Sequence, residues 1–235
     1  MKLMQNNQRV KVLLFVTFVT LSSLVLGKTE ARPAVASKSL AASEILAGLK
    51  KGNERFVSGK VRTDGQSKSD ILRLATGQNP DAVVLSCSDS RVPPEAVFDQ
   101  KLGEIFTVRS AGEALSPQAI ASIEFAIENL GSRLVVVMGH TNCGAIKASI
   151  ETLNGKSTGS ENLDKLTADI HPRIKSKFDE KNPSKNLKEE SWLNARGVAK
   201  DLIIRSGLIS KAVASGKIEI KVGLYDLKTG LVEFE

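Results

Sequence analysis

Two short clusters of this 235-residue chain hold side chains able to do chemistry, Cys87-Ser88-Asp89-Ser90-Arg91 and His140-Thr141-Asn142-Cys143-Gly144. Two thiolates, an imidazole and a carboxylate make a mixed soft and borderline ligand set. Such a set suits tetrahedral zinc and not magnesium or calcium, which take oxygen alone. His140 and Cys143 stand three residues apart, a spacing that lets one short loop grip one ion. Asp89 and Arg91 are two apart and can turn toward each other, and a guanidinium fork pairs bidentately with a carboxylate. Asp89 therefore has two candidate partners, the metal and Arg91. On the metal it closes a four-ligand site; on Arg91 it leaves the fourth position to water, which separates catalytic from structural zinc.

Each cluster follows an apolar run that reads as a buried strand, Val83-Val84-Leu85-Ser86 before the first and Leu134 to Gly139 before the second. In a parallel α/β sheet both clusters would emerge at the carboxyl ends of their strands, where such folds bind ligands. A third strand is expected over Glu104 to Arg109 and a fourth over Lys217 to Leu224, with Leu231 to Phe234 after a turn. Between them the pattern predicts helices: Ser43 to Ser58, a short one over Asp70 to Thr76, a turn opened by Pro93-Pro94, and Ser116-Pro117 running to Leu130. Ile120, Ile123, Phe125 and Ile127 are its expected packing positions. Gly144 to Leu153, Leu163 to Lys177 and Lys188 to Ser206 complete the set, the last two separated by Lys181-Asn182-Pro183-Ser184. The expected fold class is α/β: a mostly parallel central sheet flanked by helices, with an N-terminal helical arm.

Cys87-Ser88-Asp89-Ser90-Arg91 followed by His140-x-x-Cys143-Gly144 resembles the β-class carbonic anhydrases, and the likeness extends through Gly103-Glu104-Ile105-Phe106 and Ile123-Glu124-Phe125-Ala126. It covers roughly residues 40 to 150 with motifs. The resemblance implies zinc held by Cys87, His140 and Cys143, joined by Asp89 in a closed state. It implies reversible hydration of carbon dioxide to bicarbonate and a proton by zinc-bound hydroxide, with Asp89 and Arg91 orienting or gating the site. Gln78, nine residues before Cys87, matches a substrate-binding glutamine of plant-type members; Phe106, Phe125 and Gly144 are the other expected cleft residues. Phe125 stands where those members carry a tyrosine, which removes one hydrogen bond to substrate. Family members are dimers or higher, with the cleft lined from both subunits, so a homo-oligomer is expected, and the Ser43 to Ser58 helix could embrace a partner.

Two departures stand out. Many members read Arg-Asn-Ala-Gly-Asn where this chain has Arg109-Ser110-Ala111-Gly112-Glu113, a change expected to alter turn contacts without touching a ligand. A bacterial subgroup with a regulatory bicarbonate site has a tryptophan where Val84 stands, which argues against that regulation. Two further readings remain open: a related zinc hydratase acting on carbonyl sulfide or carbon disulfide, and a non-catalytic protein with a closed zinc site or a Cys87–Cys143 disulfide. Against the disulfide, each cysteine sits beside its own polar metal-type partners, which pairing alone would not require.

Lys2, Arg9 and Lys11 precede the apolar run Val12 to Leu26, and Ala34-Val35-Ala36 offers a small-x-small cleavage site. This is the layout of a secretory signal peptide over residues 1–36, leaving residues 37–235 as a single catalytic domain in the periplasm or outside the cell. The alternative is an uncleaved membrane anchor, but the run is short for a span and interrupted by Thr17, Thr20, Ser22 and Ser23, which favours cleavage, and no membrane attachment is expected after it. The net charge is +7, of which residues 1–36 carry +4. The remaining charges alternate in sign, as in Arg173-Ile174-Lys175 beside Asp179-Glu180, which reads as solvated helix faces and not a nucleic-acid surface. His171, the other histidine, is expected at the surface.

Overall fold

The structure is a computed structural model that describes residues 40–175 and 183–235. The expected signal peptide, the charges Asp179 and Glu180, and Lys181-Asn182 of the expected loop lie outside these residues.

The helix α1 (Ala42–Val57) turns Ile45, Leu49 and Asn53 inward. The two apolar side chains join the core of their own chain. Asn53 donates to the carbonyls of Val97 and Gly230 and accepts from Val232 N–H, tying the helix to segments far along the sequence. A short α2 (Lys68–Leu74), capped by Ser67, buries no residue at all. Then come β1 (Ala82–Ser86), α3 (Pro94–Val97), β2 (Ile105–Arg109), α4 (Pro117–Asn129), β3 (Leu134–His140) and α5 (Gly144–Leu153). They are followed by α6 (Glu161–Ile174), α7 (Lys188–Arg205), α8 (Gly207–Ala214), β4 (Glu219–Tyr225) and β5 (Val232–Phe234). The α8 helix goes beyond the expected set: Ser206 ends α7 and at once caps α8 by accepting from Ile209 N–H, so two helices share one polar residue.

Among the described residues the strands form one five-stranded sheet in the order β2-β1-β3-β4-β5, parallel except for the antiparallel edge strand β5. Side chains alternate across a strand. Ala82 and Val84 therefore face one cluster with α1, α5 and α6, while Val83 and Leu85 face another with α4, α7 and α8. Covering both faces explains why β1 and β3 are unbroken apolar runs and not alternating ones.

Packing overturns three sequence expectations. Phe125 is 49% exposed, whereas Ile120, Ile123 and Ile127 fill the core side of α4. His171 is half-buried, its Nε2 2.8 Å from Thr152 Oγ1. Arg173, expected on a solvated face, is buried and ion-paired to Asp169 (3.0 Å) and Asp201 (2.8 Å). A guanidinium taken from water needs such partners. Sequence periodicity reports which positions turn inward, not which charges will find partners there.

Candidate metal centre

The parallel register puts the ends of β1 and β3 side by side: Ser86 pairs with Met138, so Cys87 leaves the sheet beside the Gly139-His140 end of β3. Beyond His140 the chain turns through Asn142, which adopts a left-handed conformation at φ 54°. Asn142 N–H is held by the Asn186 carbonyl, and Thr141 N–H by the Tyr225 carbonyl. Cys143 then caps α5, where the unpaired N–H groups of the first turn favour a thiolate. Gly144, the first residue of α5, leaves open space where a larger residue would place its side chain.

Cys87, His140 and Cys143 converge, with their ligand atoms all within 4.8 Å of one another and all three residues buried. The two sulfurs are 4.0 Å apart as free thiols, so the disulfide alternative is not what the structure contains. His140 Nδ1 lies 2.8 Å from the Thr141 carbonyl, which fixes the tautomer with the proton on Nδ1. The other nitrogen, Nε2, is buried and has no hydrogen-bond partner. An orphaned imidazole nitrogen beside two thiols fits a thiophilic ion such as zinc, since burying a bare acceptor is otherwise costly. Between the sulfurs, hydrogen bonding from Cys143 pulls the Cys87 thiol down, and that same bond pushes the Cys143 thiol up.

Asp89 and Arg91 form the expected fork: Arg91 Nε donates to Oδ1 at 2.8 Å and Nη2 to Oδ2 at 2.6 Å, and Arg91 N–H adds a third bond to Oδ1 at 3.0 Å. The guanidinium bonds, with the backbone one behind them, hold the Asp89 carboxyl well below the usual carboxylate range. Asp89 Oδ2 is also 3.9 Å from His140 Nε2, so it borders the centre while paired to Arg91.

Phe106 is half-buried on β2 and packs on the cluster around α4 and α7. Gln78 is exposed, in an open groove of about 490 Å³ whose lining includes Leu74 and Gly103 but none of the metal-type residues.

Residues outside the two ligand clusters hold the centre in place. Arg109 reaches from β2 to the carbonyls of Cys87 (3.0 Å) and Asp89 (2.7 Å), fixing the loop that carries both. The turn Ala111–Glu113, expected to touch no ligand, donates Gly112 N–H to Cys87 Sγ at 3.3 Å. Glu113 beside it is 1% exposed and bonded to Asn194. Burial, reinforced by the charge of Cys87, pushes its carboxyl up to about 8, against the pull of His140, Asn194 and Arg173. The departure from Arg-Asn-Ala-Gly-Asn was the available signal, since it puts an acid where the resemblance expects an amide.

That burial makes stability depend on pH. Below its ordinary value of 4.5 the Glu113 carboxyl is protonated in both folded and unfolded chains and costs nothing. Above 4.5 the unfolded chain ionises first, so the destabilisation grows with pH until the folded carboxyl also ionises near 8, then stays constant. Glu113→Gln should therefore be as stable as the unaltered protein near pH 4.5 and more stable by a few kcal/mol at pH 8. Urea melts at the two pH values measure it; an equal difference at both would show that Glu113 is not held neutral.

A family model described as carbonic anhydrase matches residues 82–232. The chain is 34% identical over 182 residues to carbonic anhydrase 2 of Mycobacterium tuberculosis, covering 77% of this chain and 87% of that one. It is 35% identical over 185 residues to the carbonic anhydrase of Mycolicibacterium smegmatis, with 79% and 89% covered. Among solved structures, the fold is similar to a β-carbonic anhydrase of Aspergillus fumigatus (22% identity, TM-score 0.62, covering 82% of this chain and 89% of that one). A tetrameric β-carbonic anhydrase of Sordaria macrospora is similar at 24% identity and TM-score 0.59, over 70% and 84% of the two chains. The chain belongs to the β-class carbonic anhydrases, which makes it a carbonate dehydratase.

Proposed function

We propose that residues 37–235 form one catalytic domain that hydrates carbon dioxide reversibly to bicarbonate and a proton, with zinc held by Cys87, His140 and Cys143. The observation that carries this reading is the buried, partnerless His140 Nε2 beside two free thiols. Zinc in that position supplies a Lewis acid that brings the pKa of water to about 7 and so makes a nucleophile at neutral pH.

The remaining work falls to the chain. Asp89, ionised and gripped by Arg91, presents Oδ2 toward the centre and accepts the hydrogen bond of the attacking O–H. This aims the nucleophile's lone pair at the carbon of carbon dioxide and leaves the developing bicarbonate its single remaining proton. Arg91 keeps Asp89 off the metal; Arg109 keeps the Cys87–Asp89 loop where both residues can act. In an oligomer whose cleft is lined from both subunits, Gln78, Phe106 and Phe125 bind substrate, and Gly144 leaves room beside Cys143. A stopped-flow carbon dioxide hydration assay on zinc-loaded protein tests the reading, and zinc-loaded protein without activity would refute it.

The same reading includes a homo-oligomer, and the similar β-carbonic anhydrase of Sordaria macrospora is a tetramer. Further support is that Ile71 (55%), Leu72 (63%), Leu102 (46%) and Phe125 (49%) are exposed and α2 buries nothing against its own chain. Apolar exposure of this kind favours association. Multi-angle light scattering should give a mass of at least two chains at micromolar concentration; a fully active single chain would refute it. Export completes the proposal, with residues 1–36 removed after Ala36, so that intact mass of the protein from the periplasm or medium should begin at Ser37. Among the described residues no helix is long and apolar enough to cross a membrane.

A further inference from the structure

Two thiolates push charge onto a bound metal and make it a weaker Lewis acid than three imidazoles would, a handicap for a hydration catalyst. The turn at Ala111–Glu113 bears on this. Gly112 and Glu113 follow one another in left-handed conformations, φ 61° and 53°, which turn the Gly112 peptide inward so that its N–H donates to Cys87 Sγ at 3.3 Å. A side chain at Gly112 would start 2.8 Å from Ile170 Cδ1 and 2.9 Å from Ala145 Cβ, so only glycine fits there.

The other side of that residue is held by one side chain from α7. Asn194 is wholly buried, and its Nδ2 donates to the Gly112 carbonyl at 2.8 Å and to Glu113 Oε2 at 3.0 Å. Its Oδ1 accepts from Arg173 Nη1 at 3.3 Å, and Arg173 is in turn anchored by Asp169 and Asp201. Both donors of the carboxamide are engaged, and the backing is a buried guanidinium held by two partly exposed carboxylates.

We propose that Asn194 is a positioning residue for the metal centre, holding Gly112 so that its N–H donates to the Cys87 sulfur and makes that sulfur a weaker electron donor to a bound metal. The inference rests on the zinc reading of Cys87, His140 and Cys143. Hydrogen bonds to thiolate ligands withdraw charge from sulfur and tune the metal they hold. Asn194 thereby offsets, from the far side of the turn, part of the donation of a two-thiolate site.

Two experiments test it. In the unaltered protein loaded with cadmium-113, nuclear magnetic resonance should show scalar coupling between the Gly112 amide proton and the metal, transmitted through the sulfur. Loaded protein without that coupling overturns the inference. In cobalt-loaded Asn194→Ala the sulfur-to-cobalt charge-transfer band should move to lower energy. A residue of purely structural importance would lower the melting temperature and leave the band in place, and that result also overturns the inference. If Asn194→Ala does not fold, the same band in cobalt-loaded Asn194→Asp, which keeps the side chain's shape but loses both donors, takes its place, and an unmoved band overturns the inference. A chain that takes up neither metal overturns the zinc reading itself, a failure distinct from that of a loaded chain lacking the coupling.

Discussion

Under the zinc reading of Cys87, His140 and Cys143, Cys143→Ser should lose zinc and the stability that zinc would confer. Cys143 supplies one of two sulfurs 4.0 Å apart, is 2% exposed, and sits where the first turn of α5 favours a thiolate. A serine hydroxyl there stays protonated at neutral pH and is a poor zinc ligand, leaving Cys87 and His140 to hold the ion alone. Because an ion that binds only the folded chain stabilises it by mass action, free zinc at about 1,000 times its dissociation constant is worth about 4 kcal/mol. The unaltered protein should therefore melt well above its chelator-treated form, and the serine variant should melt at the same temperature with and without zinc. Metal analysis should find one zinc per chain before the substitution and almost none after it. Full zinc content in the variant would sink the ligand assignment.

Replacing Arg91 should do the opposite: the metal and the fold stay, and activity goes. The Arg91 side chain is 56% exposed, and exposed ion pairs contribute about 1 kcal/mol or less to stability, so the melting temperature should barely move. For Asp89 the consequence is larger. Arg91→Ala removes two of the three bonds to its carboxylate and leaves only the backbone N–H on Oδ1. The freed Oδ2 already lies 3.9 Å from His140 Nε2, close enough that it would join Cys87, His140 and Cys143 as a fourth ligand to a bound zinc. Carbon dioxide hydration should fall by at least about 100-fold, within the range that positioned proton acceptors contribute. Asp89→Ala should also lose activity, by a different route, because no carboxylate remains to close the site. X-ray absorption on the two zinc-loaded variants should show an added carboxylate oxygen in Arg91→Ala and an exchangeable ligand in Asp89→Ala. An exchangeable ligand and near-normal turnover in Arg91→Ala would mean that the Asp89–Arg91 pair is only structural.

The pair is legible in the amino-acid sequence because two residues two apart in a turn can hardly avoid each other. Local legibility of that kind extends to β1 and β3, whose apolar runs are too short for helices and end in polar clusters, and to the Ser116 cap of α4. The same reasoning fails where burial depends on a distant partner. Arg173 reads as a solvated charge because its neighbours in sequence alternate in sign; its burial rests on Asp201, 28 residues away. Phe125 reads as a core residue because it lies among apolar neighbours on α4, yet helical geometry turns it outward while Ile123 and Ile127 turn in.

The sequence by itself determined the chemistry on offer: which side chains can ligate, which carboxylate and guanidinium pair, and that the set suits a zinc-type ion. These follow from residue types at short spacing, and short spacing constrains geometry through the covalent chain alone. Only the tertiary structure decided what holds the ligands in place. Arg109 reaches Cys87 across 22 residues, and Asn194 reaches Gly112 across 82. Such contacts exist because β1, β2 and β3 lie side by side and α7 packs against β3 and the Ala111–Glu113 turn. A buried amide such as Asn194 carries no periodicity that marks it, since its identity is set by the two carbonyl-type oxygens it must satisfy and both arrive from another part of the chain.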